Sequence, residues 1–194
     1  MKPQTRTFLA ALLALSTVGC MSPKGDTPAA KCRYVDQVRI AAVSELGIER
    51  PDVKTKLEAA PGYAVFKGRI LSLFHIGTRR SYGVVYDNKS GDSTYMSWFE
   101  LDLAAAIGFQ VYRNVIIFDS PDSMRNFIES GWEGSTGLGL TLKPAGHGFA
   151  LHGMGTTQGD GEYTLTDKGL WLGLTFGFGR FYTDDELNEA KSKK

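Results

Sequence analysis

The spacing of apolar positions along the chain changes character twice. An apolar run over residues 8–15 follows Lys2 and Arg6 and closes on Thr17-Val18-Gly19-Cys20. It is too short to cross a bilayer as a stable helix and has the layout of an export signal over residues 1–19. Residues 20–29 hold mostly Ser, Pro, Lys, Gly, Asp and Thr with little to bury, so a flexible tether is expected there. Over residues 30–46, Val35, Val38, Ala42 and Leu46 fall near helical spacing, and Gly47 supplies a stop. Pro51 suits the first position of a second helix, in which Val53 and Leu57 share a face until Pro61-Gly62.

From Tyr63 the period becomes two. Tyr63-Ala64-Val65-Phe66 reads as a first strand. Residues 81–87 and 93–99 flank Asn88-Lys89-Ser90-Gly91, whose residues tolerate a left-handed backbone, and so read as a hairpin. Residues 105–118 are apolar throughout; they fit one bulged strand or two strands meeting at Arg113-Asn114. A helix then interrupts the sheet, with Ser120 as N-cap, Pro121 and Asp122 in the first turn and Gly131 after the last. Its buried stripe is Met124, Phe127 and Ile128.

In residues 137–142 and 170–179, Leu and Phe alternate with Gly, so each strand carries bulk on one face and mostly glycine on the other. Repeated glycine weakens a strand, which points to close approach on that face through sharp coiling, a helix or a second sheet. Residues 149–156 and 163–166 are expected to pair across Gly159-Asp160-Gly161. The fold class expected is α+β, a strongly curved antiparallel β-sheet or partly closed barrel with about three helices. One domain spans residues 30–188, ahead of a disordered basic tail at 189–194.

Charge narrows the partners. Without residues 1–19 the chain has 20 basic against 21 acidic residues. Near-neutrality argues against nucleic acid as a partner. No later stretch is long and apolar enough to span a membrane as a helix. The Thr17-Val18-Gly19-Cys20 sequence resembles a bacterial lipoprotein signal, departing from it at Thr17, where an aliphatic residue is usual. The resemblance implies acylation of Cys20 and a membrane anchor, against plain secretion with an unmodified Cys20. Met21, where Asp would mark inner-membrane retention, resembles outer-membrane sorting, with the body facing the periplasm or the surface. Cys32 then packs as a small apolar residue; a Cys20–Cys32 disulfide is the competing reading for an unlipidated form.

Catalytic chemistry finds no support. His75, His147 and His152 include no metal-type pair, and no serine stands on a nucleophile elbow. Glycines 131–139 run from helix to strand, the reverse of a phosphate loop. Glu100 and Asp102 share a strand face with nothing in the sequence to split their pKa values, and Asp184-Asp185-Glu186 reads as a solvated run. No enzyme, metal or cofactor is therefore expected. Lys54, Lys56, Lys67, Arg69, Arg79 and Arg80 interleave with Phe66, Leu71, Leu73 and Phe74. They form either an anionic headgroup site, with Lys67, Arg69, Arg79 and Arg80 as its candidates, or an ordinary loop rim.

Five blocks follow one another as in SYLF-domain proteins, and the chain resembles the bacterial lipoprotein branch of that family over residues 30–188. They are Pro61-Gly62-Tyr63-Ala64-Val65-Phe66, Tyr82-Gly83-Val84-Val85-Tyr86, Phe127-Ile128-Glu129-Ser130-Gly131-Trp132-Glu133, Tyr163-Thr164-Leu165-Thr166-Asp167-Lys168-Gly169-Leu170 and Arg180-Phe181-Tyr182-Thr183-Asp184-Asp185-Glu186-Leu187-Asn188. The resemblance implies a non-enzymatic module that binds membrane phospholipid. Eukaryotic members carry Lys-Ala-Lys-Gly where this chain has Ala59-Ala60-Pro61-Gly62, and their amphipathic N-terminal segment has no counterpart here. Phosphoinositide specificity and actin binding are thus not carried over. The second function expected is a structural or protein-interaction lipoprotein docking an envelope partner, with Trp98, Trp132 and Trp171 as anchors if exposed.

Overall fold

The structure is a computed structural model that describes residues 21–131, 135–143, 149–155 and 161–193. Helix α1 (Pro28–Glu49) starts where the Thr27 hydroxyl accepts the Ala30 N–H at 3.2 Å. It runs through Gly47, contrary to the expected stop, because one glycine costs a helix only about 1 kcal/mol and the preceding turns are held by the buried Ala42 and Leu46. Helix α2 (Pro51–Ala59) begins at Pro51 as expected and buries Val53 and Leu57.

Strands β1 (Gly62–Asp87) and β2 (Ser93–Phe118) form a single long hairpin, paired from Gly62↔Phe118 to Tyr86↔Ser93. At its turn the Asp87 carboxylate accepts the N–H groups of Lys89 (2.7 Å) and Ser90 (3.0 Å), and Gly91 takes a φ of 73°. Residues 105–118 belong to one strand. Residues 67–80, readable from sequence as a loop rim, are strand too, since they pair with residues 99–113.

Helix α3 (Pro121–Ser130) is built by the expected signals. Ser120 accepts the Ser123 N–H at 3.1 Å, Gly131 ends the helix at φ 66°, and Met124 and Phe127 are buried. Strands β3 (Ser135–Lys143), β4 (Phe149–Gly155) and β5 (Gly161–Thr183) complete an antiparallel sheet of order β1-β2-β5-β3-β4. The expected hairpin between residues 149–156 and 163–166 is not formed. β4 pairs with β3, while the start of β5 pairs with the end of β2, as in Val115↔Tyr163. Side chains of β2 hold this segment, since Thr164 donates to the Asn114 amide oxygen at 2.9 Å, Asn114 donates to Glu162 at 2.7 Å, and Leu165 packs in one cluster with Val115 and Ile117. Gly159 and Asp160 lie outside the described residues.

Helix α4 (Asp185–Ser192) replaces the solvated acidic run and most of the disordered tail. Asp184 caps it by accepting the Leu187 N–H at 3.1 Å, Asp185 and Glu186 occupy the first turn, and Leu187 is buried. Lys191 donates to the Ser93 carbonyl at 2.7 Å and pairs with Asp92. The expected tether is also laid down on the body: Pro23 is buried, and Met21 packs against a cluster of Cys32, Val35, Tyr82, Val84, Tyr95 and Leu187. Residues 21–27 thus find apolar surface to cover. Cys32 is buried, and its thiol donates to the Leu187 carbonyl oxygen at 3.5 Å.

The fold among the described residues is α+β, with four helices and a sheet dominated by its three long strands. No pairing joins β1 to β4 among them, so the ladder is open. Both faces are covered at one end. Phe66, Met96, Trp98, Ile116 and Phe181 pack with Met124 and Phe127 of α3 on one face. Tyr63, Val65, Val115, Ile117 and Leu165 pack with α1 and α2 on the other.

The two ends of β1 lie side by side there. Asn88 donates its N–H to the Pro61 carbonyl at 3.0 Å, and a Cβ at Gly83 would collide with the Val65 carbonyl oxygen and sit 2.7 Å from Phe66 Cα. Gly83→Ala is therefore expected to destabilise the protein by about 1–3 kcal/mol through overpacking against backbone. Gly47→Ala, whose Cβ would make ordinary 3.4 Å contact with Lys54, is expected to stabilise it by about 0.5–1 kcal/mol. Urea unfolding midpoints of the two variants check this pair of opposite signs.

Candidate functional site

Beyond the helix-covered end, the three long strands continue with their polarity inverted. On β2 the odd positions Leu101, Leu103, Ile107 and Phe109 are exposed, and on β5 the even positions Leu170, Leu172, Leu174, Phe176 and Phe178 are exposed. The register sets them side by side: Leu101↔Phe178, Leu103↔Phe176, Ile107↔Leu172 and Phe109↔Leu170. Leu73, Phe74 and Ile76 extend the row onto β1. Leu103 is 67 % exposed and Phe178 64 %. Scattered exposed leucines are ordinary, whereas a contiguous apolar face across three strands marks an interaction surface.

The opposite face of the same segment is buried and sets a group of polar side chains beside the cluster of Ile70, Ala104, Ala106, Tyr112 and Trp171. Ser72, Arg79, Glu100, Asp102, Gln110, Thr166 and Thr175 are all nearly inaccessible. The Arg79 guanidinium lies 3.6 Å from Glu100 and 3.8 Å from Asp102, stands 5.4 Å from the centre of the Trp98 ring, and donates to the Thr175 hydroxyl at 3.4 Å. Gln110 donates to Thr166 at 3.1 Å, and the Trp171 indole to Ser72 at 3.0 Å. Burial works against the Arg79 charge, but Glu100, with Tyr112 and Asp102, outweighs it and holds the guanidinium above its ordinary pKa. Burial likewise pushes the Tyr112 hydroxyl up, so it stays protonated.

Glycine makes room for this interior. A Cβ at Gly177 would run into the Glu100 and Asp102 carboxylates, and one at Gly179 would lie 2.6 Å from Glu100 Cβ and the Trp98 indole nitrogen. The expected close approach is therefore real, and the groups that approach are side chains of the neighbouring strand.

A local irregularity decides which basic residues face outward. Phe74 adopts a φ of 57°, rare for a bulky side chain, and the β1–β2 register shifts between Phe74 and Ile76. The alternation reverses there: Lys67 and Arg69 precede the bulge on the outer face, Arg80 follows it on that face, and Arg79 is turned inward.

The four basic candidates are accordingly not one patch. Arg79, buried and ion-paired, is removed from the surface headgroup set. Lys67 is half-buried and pairs with Asp167 at 3.3 Å, and Arg69 is half-buried. Arg80 lies over the Phe99 ring at 5.0 Å, at the border of the exposed apolar rows. Trp98 and Trp171 are buried and cannot act as exposed anchors. Cys20, Trp132 and His147 lie outside the described residues.

The buried Arg79–Glu100–Asp102 group escaped sequence reasoning. Its signal was the alternation of Glu100 and Asp102 on a strand facing glycines, but the pairing of Arg79 with Glu100 needs the strand register. Among the described residues no three His, Cys, Asp or Glu side chains are gathered as a metal site, and no helix is long and apolar enough to cross a membrane.

No family model matches the chain. It is similar to beta cell expansion factor A of Aeromonas veronii, 33 % identical over 149 residues, which cover 77 % of this chain and 56 % of that protein. The chain thus spans a little over half the length of the curated relative it matches.

Removing Arg79 would leave two buried carboxylates uncompensated, so Arg79→Leu is expected to cost about 3–5 kcal/mol. Combining it with Glu100→Gln and Asp102→Asn is expected to recover much of that loss, while Arg80→Ala, on the outer face, stays within about 0.5 kcal/mol of the parent. Denaturant unfolding of the three proteins measures the difference; equal stability of Arg79→Leu and Arg80→Ala would contradict the buried group.

Proposed function

We propose that this chain is a membrane-anchored bacterial envelope lipoprotein of SYLF-like type, with a non-enzymatic domain that binds phospholipid. The observation that carries the reading is the inverted sheet, with Leu and Phe in water on three adjacent strands and Arg79, Glu100 and Asp102 buried behind them. In a protein that stays in water the outer face is costly. Against a bilayer it is favourable, because the acyl region accepts the outer side chains, and the inner charges stay paired in either setting.

Burying a Leu or Phe side chain contributes about 1.5–3 kcal/mol, so even half-exposed residues on three strands supply ample driving force. The side-by-side ends of β1 support a partly closed barrel as the shape of the sheet. Arg80, Phe99 and Tyr182 at the edge of the apolar rows are the kind of cationic and aromatic residues that lie at a headgroup boundary. Lys67 and Arg69, on the same face, are secondary headgroup candidates. The anchor at Cys20 and an outer-membrane location complete the reading.

The test uses the Cys20→Ser protein, which cannot be acylated at that position, and vesicles of phosphatidylethanolamine and phosphatidylglycerol. It is expected to co-sediment with them, more strongly as the phosphatidylglycerol fraction rises. Leu103→Asp combined with Phe176→Asp is expected to weaken binding at least about tenfold, since each 1.4 kcal/mol is a factor of ten. Both positions are exposed, so folding is preserved, as near-ultraviolet circular dichroism would report. Vesicle binding unchanged by the double substitution would defeat the proposal. Loss of a stable protein complex, with no vesicle binding by either form, would favour the protein-docking alternative.

A further inference from the structure

The start of the described chain is fastened beside the apolar face. Met21 packs on the cluster that joins α1, α4 and the base of the sheet, and it also lines a groove of about 460 Å³ with Arg80, Ser97, Phe99 and Tyr182. Pro23 is buried, and Lys24 lies over the Tyr34 ring at 5.8 Å, so the segment leading to α1 has no slack. Gly25, at φ 136°, turns this strap onto the helix; a Cβ there would press on Ala30 and Lys31 at 2.8 Å.

The groove opens onto the exposed rows. Phe99 is followed on the same face of β2 by Leu101 and Leu103, and Tyr182 is preceded on β5 by Arg180 and Phe178. Its walls are aromatic, with Phe99 43 % and Tyr182 53 % exposed, and Arg80 stands at its edge over Phe99. Met21, the chain neighbour of Cys20, itself lines the groove, and consecutive Cα atoms are about 3.8 Å apart.

We propose that this groove is the seat of the lipid carried by Cys20. The glyceryl ester carbonyl oxygens accept hydrogen bonds from the Arg80 guanidinium and the Ser97 hydroxyl, and the acyl chains run over Phe99 and Tyr182 toward Leu101 and Phe178. Anchor and apolar face then enter one leaflet as one surface, and the anchor sets the orientation of the sheet without a spacer. This inference rests on the acylation of Cys20 put forward above. It adds where the acyl chains lie.

The experiment feeds cells producing the full-length chain a fatty acid that bears a diazirine and an alkyne. After irradiation of the isolated membranes, labelled peptides are mapped by mass spectrometry. The expected result is acylated Cys20 cross-linked within the same chain to the segments containing Phe99 or Tyr182. That cross-link should be lost in a Phe99→Asp/Tyr182→Asp variant and kept in Leu103→Asp/Phe176→Asp. Acylated Cys20 cross-linked solely to phospholipid or to other proteins would overturn the groove while leaving the anchor intact. Cys20 without a label would overturn the anchor itself, and the groove assignment with it.

Discussion

The constraint on which the structure depends is a charge that must be kept out of water. Arg79 of β1 sits between Glu100 and Asp102 of β2 with almost no exposure, and its guanidinium reaches Thr175 of β5. The bulge at Phe74–Ile76 turns Arg79 inward, and glycines on β5 clear the space its carboxylate partners occupy. Once those polar groups take the inner face, strand alternation leaves the outer positions to leucine and phenylalanine. The apolar surface and the buried ion group are thus two sides of one arrangement, and neither is changed without the other.

Stability resides elsewhere in the molecule. The helix-covered end supplies the close-packed core, with α3 on one face of the sheet and α1, α2 and α4 on the other. Phe66, Phe127 and Phe181 meet there with ring centroids 4.6–6.1 Å apart, within the range of favourable aromatic pairs. A body stabilised at one end is free to carry an apolar surface at the other. The strap from Met21 to Thr27 lies along the boundary between the two.

Local signals made part of this legible in the sequence. Ser120, Pro121 and Gly131 defined α3 because caps act within a few residues, and Asn88 to Gly91 defined the hairpin turn for the same reason. Asp184 and Leu187 carried a comparable signal for α4, masked by the acidic run between them. The long strands were less legible, since residues 67–80 mix charge with bulk and are strand only by virtue of their partners. Alternation in residues 170–179 placed Leu and Phe on one face, yet period alone does not say which face meets water. The inward turn of Arg79 depends on one residue with an unusual backbone angle, and no composition or spacing rule announces it.

The central claim is that the outer face of the sheet lies in the acyl region while the inner face holds its buried charges. Spin labels placed singly at residues 101–107 of β2, in a protein with Cys20→Ser and Cys32→Ala and bound to vesicles, test it most directly through collision with oxygen and with a water-soluble nickel chelate. A period of two is expected: labels at Leu101, Leu103 and Ile107 meet oxygen and are shielded from nickel, while those at Ala104 and Ala106 on the inner face are shielded from both. Nickel access at Leu101, Leu103 and Ile107 in the vesicle-bound state would contradict it.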